Sequence, residues 1–368
     1  MGVPTERAAQ PATDVEATVR LRMMGIHVAH AIRGRRASSG ARPTRAALHC
    51  LLAELGLLRG DIVRVHWYTA RRPVARVDFA GANPVILKWL EDTELETDNE
   101  GWALALLGRL RPPAGLRDAL PHLLCTSADG RVQAFEYIPD TVTWAERVAH
   151  APAGTDQLFA LLGDRLAELH RLPVREEAVA HRDRHVRFPI PPLARLTPGE
   201  YARGYGTDFA EYMTLMQAVD PYLTELRESW APSAYIHFDI RDDNVLFAAD
   251  QTKVSIVDWE LAGFGDPCYD VGAAVGQTLS HGIPARAGAL AAVNRFLAAY
   301  QDAAGASEPT ILRSLQFAGV FLLLTSLGRL EKVGSLGRVG HLSLLIGRRL
   351  VSQPEACHAA VRSQRGRT

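Results

Sequence analysis

Short apolar runs separated by turn residues fill the first 140 residues of the chain, and longer helical patterns follow. Residues 1–43 read as an extension, with a short helix over Val15–Ile32 and a solvated linker from Gly34 to Pro43. Thr44 is placed to cap a helix that continues through Leu58 and stops at Gly60. Three strand-like runs come next. Ile62–Tyr68 and Val74–Phe79 flank the turn Thr69-Ala70-Arg71-Arg72-Pro73, and Val85–Leu90 follows Gly81-Ala82-Asn83-Pro84. A helix carrying Glu100, Trp102, Leu104, Leu107 and Leu110 then precedes a hairpin, in which Leu123–Thr126 and Gln133–Ile138 pair across Ala128-Asp129-Gly130. Beyond Pro139 the pattern is helical except for one short strand pair near residues 245–257. The longest apolar run, Leu315–Leu327, is broken by Gln316, Thr325 and Ser326. It is shorter than the ~20 residues that span a bilayer and predicts a buried helix.

This order of elements predicts an α+β protein with a β-rich lobe over residues 44–140, a helical lobe over 141–355 and a flexible tail over 356–368. A length of 368 residues suits two packed lobes, and 47% apolar with 22% charged residues excludes wholesale disorder. Lys+Arg and Asp+Glu each number 41, so no global basic field argues for nucleic acid. The charge is unevenly spread, however. Residues 46–270 hold 22 basic and 34 acidic side chains, whereas residues 1–45 and 271–368 are both net basic. The acidic middle is where a cation site would be favoured. Lysine is scarce, at Lys88, Lys253 and Lys332 only. Cys50, Cys125, Cys268 and Cys357 are far apart and suggest neither a zinc site nor a disulfide framework. The first twenty residues are polar and include Asp14 and Glu16, unlike a signal peptide. The expectation is a cytoplasmic protein with no membrane attachment.

Candidate chemistry is concentrated in the stretch from Tyr235 to Glu260. Val245–Phe247 and Val254–Val257 are apolar and flank Ala248–Thr252, which predicts a hairpin. Asn244 and Asp258 are each seven positions from its centre at Gln251, so the register sets them side by side. An amide oxygen beside a carboxylate is a hard donor set, of the kind Mg²⁺ takes when it also binds phosphates. Asp239, five residues before Asn244, would stand in the loop beside that metal, where a carboxylate accepts the proton of an attacking hydroxyl.

The segment resembles the catalytic loop of the aminoglycoside phosphotransferase / choline kinase-like family, whose fold is related to the protein kinases. The matching residues are His237-x-Asp239-x4-Asn244, Asp258-Trp259-Glu260, Gly265-Asp266-Pro267-Cys268-Tyr269-Asp270 and, upstream, Leu166-Ala167-Glu168-Leu169-His170. Together they are spread over about residues 46–350. The resemblance implies a two-lobed protein kinase-like fold, with Asp239 as catalytic base and Asn244 and Asp258 as Mg²⁺ ligands. It implies a bracing role for His237 and leaves Glu260 either behind the metal or facing the acceptor. Asp266 and Asp270 are expected to cap local turns and a helix starting near Val271.

On the nucleotide side, Lys88 interrupts the apolar run Val85–Trp89, where an ammonium on a strand suits the α- and β-phosphates of ATP or GTP. Glu100, at the start of the next helix, is its expected partner, with Glu94 and Glu96 as alternatives. Glu136-Tyr137-Ile138 resembles the lobe-connecting hinge that binds the adenine edge through backbone groups. The loop from His66 to Val77 departs from the family because it holds no glycine to let backbone amides approach phosphates. Arg71 and Arg72 are read either as side-chain phosphate contacts or as a solvated hairpin tip.

Three functions are compatible with these residues. The first is an ATP- and Mg²⁺-dependent kinase that phosphorylates a hydroxyl of a natural product, an aminoglycoside-like small molecule. The second is a Ser/Thr kinase acting on a ribosomal precursor peptide together with a partner lyase, for which the basic extension would be a docking element. The third is a pseudokinase-like binding module, which the glycine-free loop favours and the joint presence of Lys88, Asp239, Asn244 and Asp258 opposes.

Overall fold

A computed structural model describes residues 42–68, 73–90, 99–149, 157–190, 199, 206–285 and 288–363. The expected helix over Val15–Ile32, the linker to Gly40, the turn residues Arg71 and Arg72, and Glu94 and Glu96 lie outside them.

The chain begins with helix α1 (Arg45–Glu54), capped by the Thr44 side chain, which accepts from the Ala47 N–H at 3.2 Å. It ends four residues earlier than the apolar pattern suggests, because the chain turns at Gly56 in a left-handed conformation (φ 66°). Strands β1 (Ile62–Trp67), β2 (Val74–Phe79) and β3 (Ala82–Trp89) form an antiparallel meander. The third strand starts at Ala82, because the turn uses only Ala80 and Gly81 (φ 71°). Helix α2 (Asn99–Leu110) and a short helix α3 (Ala114–Ala119), which the sequence pattern did not predict, precede β4 (Leu123–Thr126) and β5 (Val132–Glu136). The five strands form one sheet in the order β1-β2-β3-β5-β4. Val77, Val85, Leu87 and Ala134 on one face are fully buried against Leu48 and Leu52 of α1. Strand β5 ends at Glu136, leaving Tyr137 and Ile138 in the connection out of the sheet rather than in a strand.

The remainder is mainly helical. It contains α4 (Trp144–Ala149), α5 (Gln157–His170), α6 (Arg175–Ala180), α7 (Thr207–Glu228), α8 (Pro267–Ala285), α9 (Ala289–Ala304), α10 (Glu308–Val333), α11 (Gly337–Ser352) and α12 (Pro354–Arg362). The expected strand pair is present as β8 (Val245–Ala248) and β9 (Val254–Ile256), and three further strands accompany it. Two-residue β6 (Thr141–Val142) pairs with β8, and β7 (Ala234–Ile236) pairs with β10 (Gly263–Gly265). Such two- and three-residue strands leave no periodicity to read. The apolar run at 315–327 lies inside α10, a 26-residue helix long and apolar enough to cross a membrane, yet 67% of its most apolar window is buried inside the molecule. Gly319 and Gly347 permit that burial, since a Cβ on Gly319 would stand 2.6 Å from the Gly347 carbonyl oxygen.

A further glycine, Gly263, shapes the region beside the candidate site. Residues 184–186 run alongside β10, with the Val186 N–H donating to the Phe264 carbonyl at 2.9 Å. A Cβ on Gly263 would stand 2.5 Å from the Arg184 carbonyl oxygen, so only glycine allows this approach.

Candidate active site

Lys88 projects from β3 and is 9% exposed. Its ammonium donates to Glu100 Oε2 at 2.6 Å and to Asp258 Oδ1, and Glu260 Oε2 is 3.4 Å away. The sheet, the first turn of α2 and the segment after β9 therefore converge on one cation. Burial alone would push the ammonium down, but Glu100, Asp258 and Glu260 overcome it and hold Lys88 above the ordinary lysine value. Burial pushes the Glu100 carboxyl up, against the pull of Lys88. Glu100 also accepts the Trp259 N–H at Oε1, 3.1 Å away, so one carboxylate fixes both Lys88 and the backbone next to Asp258.

Three carboxylates thus face a single lysine, and the cluster carries an excess of negative charge suited to a divalent cation. Among the described residues no three His, Cys, Asp or Glu side chains form a metal cluster of their own. Mg²⁺ does not demand one, since it is usually bound through one or two protein oxygens together with substrate phosphates and water. Asn244 and Asp258 bear an amide and a carboxylate oxygen, donors of that type. Both described contacts of the Asn244 amide nitrogen go to Asp239, at 2.9 Å to the backbone oxygen and 2.8 Å to Oδ2. This assigns the amide its orientation and leaves Oδ1, the hard donor, on the other side of the group.

The register corrects one detail of the hairpin reading. Val245 pairs with Ile256, and the Val257 N–H donates to the Asn244 carbonyl at 2.9 Å, so Asn244 is opposite Val257 rather than Asp258. In a continuing strand Asp258 would point to the other face. It instead adopts the left-handed conformation (φ 65°, ψ 62°) and its carboxylate reaches Lys88.

Asp239 follows Phe238, which is also left-handed (φ 66°). Such backbone costs about 1–3 kcal/mol per residue and persists only where the surroundings impose it. Here the surroundings are explicit. The carboxylate of Asp270 accepts the His237 N–H at 2.7 Å and the Phe238 N–H at 2.8 Å. Asp270 is fully buried and receives His170 Nε2 at 3.4 Å. The helix expected near Val271 starts at Pro267, so Asp270 sits within its first turn and braces the loop that carries Asp239 instead of capping. Asp266 does cap locally, accepting the Cys268 N–H at 3.0 Å, and it also pairs with Arg313 at 2.6 Å.

The His237 ring is fully buried. Its Nε2 faces the Val257 carbonyl at 3.0 Å, and its Nδ1 receives the Asp239 N–H at 3.3 Å. A carbonyl can only accept and an amide N–H can only donate, so the ring is assigned Nε2–H and both nitrogens are used in holding the loop. Asp239 itself is pushed above the usual carboxylate range by burial, with Arg241 (3.2 Å) pulling it down and Asp258 pushing it further up.

Tyr137 and Ile138 are half-buried at the junction after β5. The Glu136 side chain is exposed and meets His122 at 3.1 Å, while its N–H is taken by the His122 carbonyl at 2.9 Å. Sequence reasoning missed Asn99, whose amide donates to the Glu260 carbonyl (2.5 Å) and the Ala262 carbonyl (3.2 Å) and accepts from Arg184 at 2.6 Å. No spacing rule marks it. His170 ends the Leu166–His170 motif, and a helical pattern cannot show that its partner Asp270 is 100 residues away.

A model of the family described as the phosphotransferase enzyme family matches residues 90–315. No curated protein sequence matches the chain. Among solved structures, it is similar to a choline/ethanolamine kinase family protein from Mesorhizobium loti, at 18% identity and a TM-score of 0.52 over 87% of this chain and 98% of that one. It is also similar to APH(2")-IIa in a ternary complex with streptomycin and ATP, at 12% identity and a TM-score of 0.50 over 84% and 99%. At these identities the likeness is one of fold, the two-lobed protein kinase-like architecture.

Proposed function

The chain belongs to the phosphotransferase enzyme family, and from that premise we propose that it transfers the γ-phosphoryl group of ATP to a hydroxyl of a natural-product acceptor, an aminoglycoside-like small molecule. The observation that carries this reading is the joint placement of Asp239, Asn244, Asp258, Lys88 and Glu100 around one point.

In this reading Asp239 accepts the proton of the acceptor hydroxyl as its oxygen attacks phosphorus. The O–P bond to the acceptor forms, the bond from phosphorus to the β,γ-bridging oxygen breaks, and ADP leaves with the electron pair. Asn244 fixes the Asp239 carboxylate through Oδ2, and Asp270 fixes the backbone that carries it. Burial raises the carboxyl above the ordinary aspartate range, which makes it a better proton acceptor than an exposed one. Lys88, oriented by Glu100, offers a point charge to the phosphates. Asn244 Oδ1 and the Asp258 carboxylate would hold Mg²⁺, which would supply positive charge against the phosphates.

The test is phosphate transfer from ATP or GTP by the wild type and Asp239→Ala, against aminoglycosides, small alcohols and Ser/Thr-rich peptides. Transfer to a small hydroxylated acceptor, lost in the variant, supports the proposal. Transfer to peptides alone would replace the acceptor and favour the lyase-partnered reading. Equal transfer by both proteins would remove Asp239 from the mechanism, and absence of Mg²⁺-dependent nucleotide binding would return the chain to a binding module.

A further inference from the structure

Residues opposite one another in an antiparallel pair project to the same face of a sheet. Lys88 is opposite Val74, Ile86 is opposite Arg76, Arg76 is opposite His66, and Asp78 is opposite Arg64. The face of the sheet that bears Lys88 therefore also bears Arg76, Asp78, His66 and Arg64. The alternate residues Ala75, Val77, Val85 and Leu87 fill the opposite face, where they are fully buried. Together with Tyr68, the four polar residues line a cavity of about 220 Å³ on Lys88's side of the sheet.

Arg76 holds the centre of this surface. Its guanidinium carbon is 3.9 Å from the centroid of the Tyr137 ring, in the connection that leaves β5. Its Nε donates to Asp78 Oδ1 at 2.6 Å. The guanidinium is thus held by Asp78 at one edge, with its carbon over an aromatic ring. Asp78 and Tyr137, against the opposing effect of burial, hold Arg76 above the usual arginine value. Along the strand Arg76 is level with Ile86, one side-chain step of ~6.7 Å from Lys88. That step leads away from the phosphate-directed ammonium and towards the segment after β5.

Two features decide what such a group can recognise. The Arg76–Asp78 pair is formally neutral, which suits a planar uncharged ring better than a triphosphate. The guanidinium plane, with an edge already occupied, offers its face, and guanidinium faces stack on aromatic rings. We propose that Arg76 is a nucleoside-binding residue, whose guanidinium stacks on the purine of the bound nucleotide in series with Tyr137. The inference rests on the nucleotide-dependent kinase reading given above. It gives the strand pair β1–β2 a side-chain grip on the nucleotide, in a chain whose β1–β2 connection has no glycine.

Calorimetric titration of the full chain with ATP, adenosine and tripolyphosphate, using wild type, Arg76→Ala and Arg76→Lys, tests this directly. Arg76→Ala weakens ATP and adenosine about tenfold and leaves tripolyphosphate unchanged. Arg76→Lys keeps the charge without the plane and remains weakened towards adenosine. Equal losses for ATP and tripolyphosphate would make Arg76 a phosphate contact and overturn the proposal. Unchanged affinity of both variants for adenosine would reduce the Arg76–Asp78 pair to a surface ion pair. Both of those outcomes leave the kinase reading standing, whereas a wild type that binds no nucleotide removes that reading first. Circular dichroism of the variants separates lost binding from lost folding.

Discussion

Lys88 and Asp258 are 170 residues apart in the chain and meet in a single ion pair. Around that pair the strand sheet, the N-terminal turn of α2 and the loop after β9 become one electrostatic unit, because Glu100 binds the ammonium with one oxygen and the Trp259 N–H with the other. Displacing any one of these three elements leaves charges on the other two uncompensated.

That dependence predicts the behaviour of Lys88→Met. Removing the cation leaves Glu100, which is 4% exposed, facing Asp258 and Glu260 without compensation. Breaking a buried pair on one side costs on the order of 3–5 kcal/mol. The variant should unfold at a lower temperature than wild type, and MgCl₂ should recover part of the loss by supplying positive charge to the same carboxylates. Thermal unfolding of both proteins with and without MgCl₂ checks this. A loss that Mg²⁺ leaves untouched would argue against cation binding at this cluster.

The bracing role of Asp270 leads to a different signature. Its carboxylate holds the two N–H groups that precede Asp239, and it touches none of the groups assigned to the nucleotide. Asp270→Asn replaces one accepting oxygen by a donor that cannot bind an N–H. The catalytic loop should lose its fixed position, so kcat falls at least tenfold while the KM for ATP changes little. A proportionate rise in that KM would show that Asp270 acts on the nucleotide instead.

Local chemistry made much of this site legible in the sequence. Asp239, Asn244 and Asp258 stand out because a hairpin with short, apolar arms fixes what flanks it, and Lys88 stands out because an ammonium in an apolar run needs a reason. The exact register did not follow, since it depends on the left-handed turn at Asp258, which no alternation of apolar residues encodes. Asp270, His170 and Asn99 were misread or missed because their partners are distant in sequence: 33 and 32 residues for Asp270 with the loop, and 161 for Asn99 with Glu260. The β-rich and helical portions were readable from run lengths, whereas α3 and the strands β6, β7 and β10 are too short to leave a period. In sequence β2 is simply an alternating strand, and only its pairing with β1 and β3 shows that Arg76 shares a face with Lys88.

Arg241 gives a handle on Asp239, the proposed proton acceptor. Its Nε is 3.2 Å from Asp239 Oδ2, and its positive charge lowers the value that burial raises. Arg241→Gln removes a lowering cause and leaves the raising ones, so the Asp239 carboxyl should titrate at higher pH than in wild type. A base must be deprotonated to work. The acid limb of kcat/KM is therefore displaced upward in the variant, and activity near neutrality falls less than activity at mildly acidic pH. A pH–rate profile of the two proteins measures the displacement, and a limb moving downward would contradict the assignment of Asp239 as the group that titrates.

Asp239→Asn should move activity and stability in opposite directions. Turnover falls by about 10²–10⁴-fold, the range a positioned proton acceptor contributes. Stability follows from linkage. Burial sets the folded-state value of this carboxyl above its unfolded value of ~3.9, so within the window between the two the folded chain binds more protons than the unfolded chain. Stability contributed by this group therefore declines as pH rises through that window, and above it the ionised, desolvated carboxylate weighs against folding. Asparagine does not titrate and carries no such cost. At neutral pH the variant should melt above wild type, and the gap should close once the pH falls below about 4, where aspartate is protonated in both states. Differential scanning calorimetry across that range measures the gap. Widening on acidification would reverse the sign of the linkage, and the buried, high-lying carboxyl invoked for proton transfer would have to be abandoned.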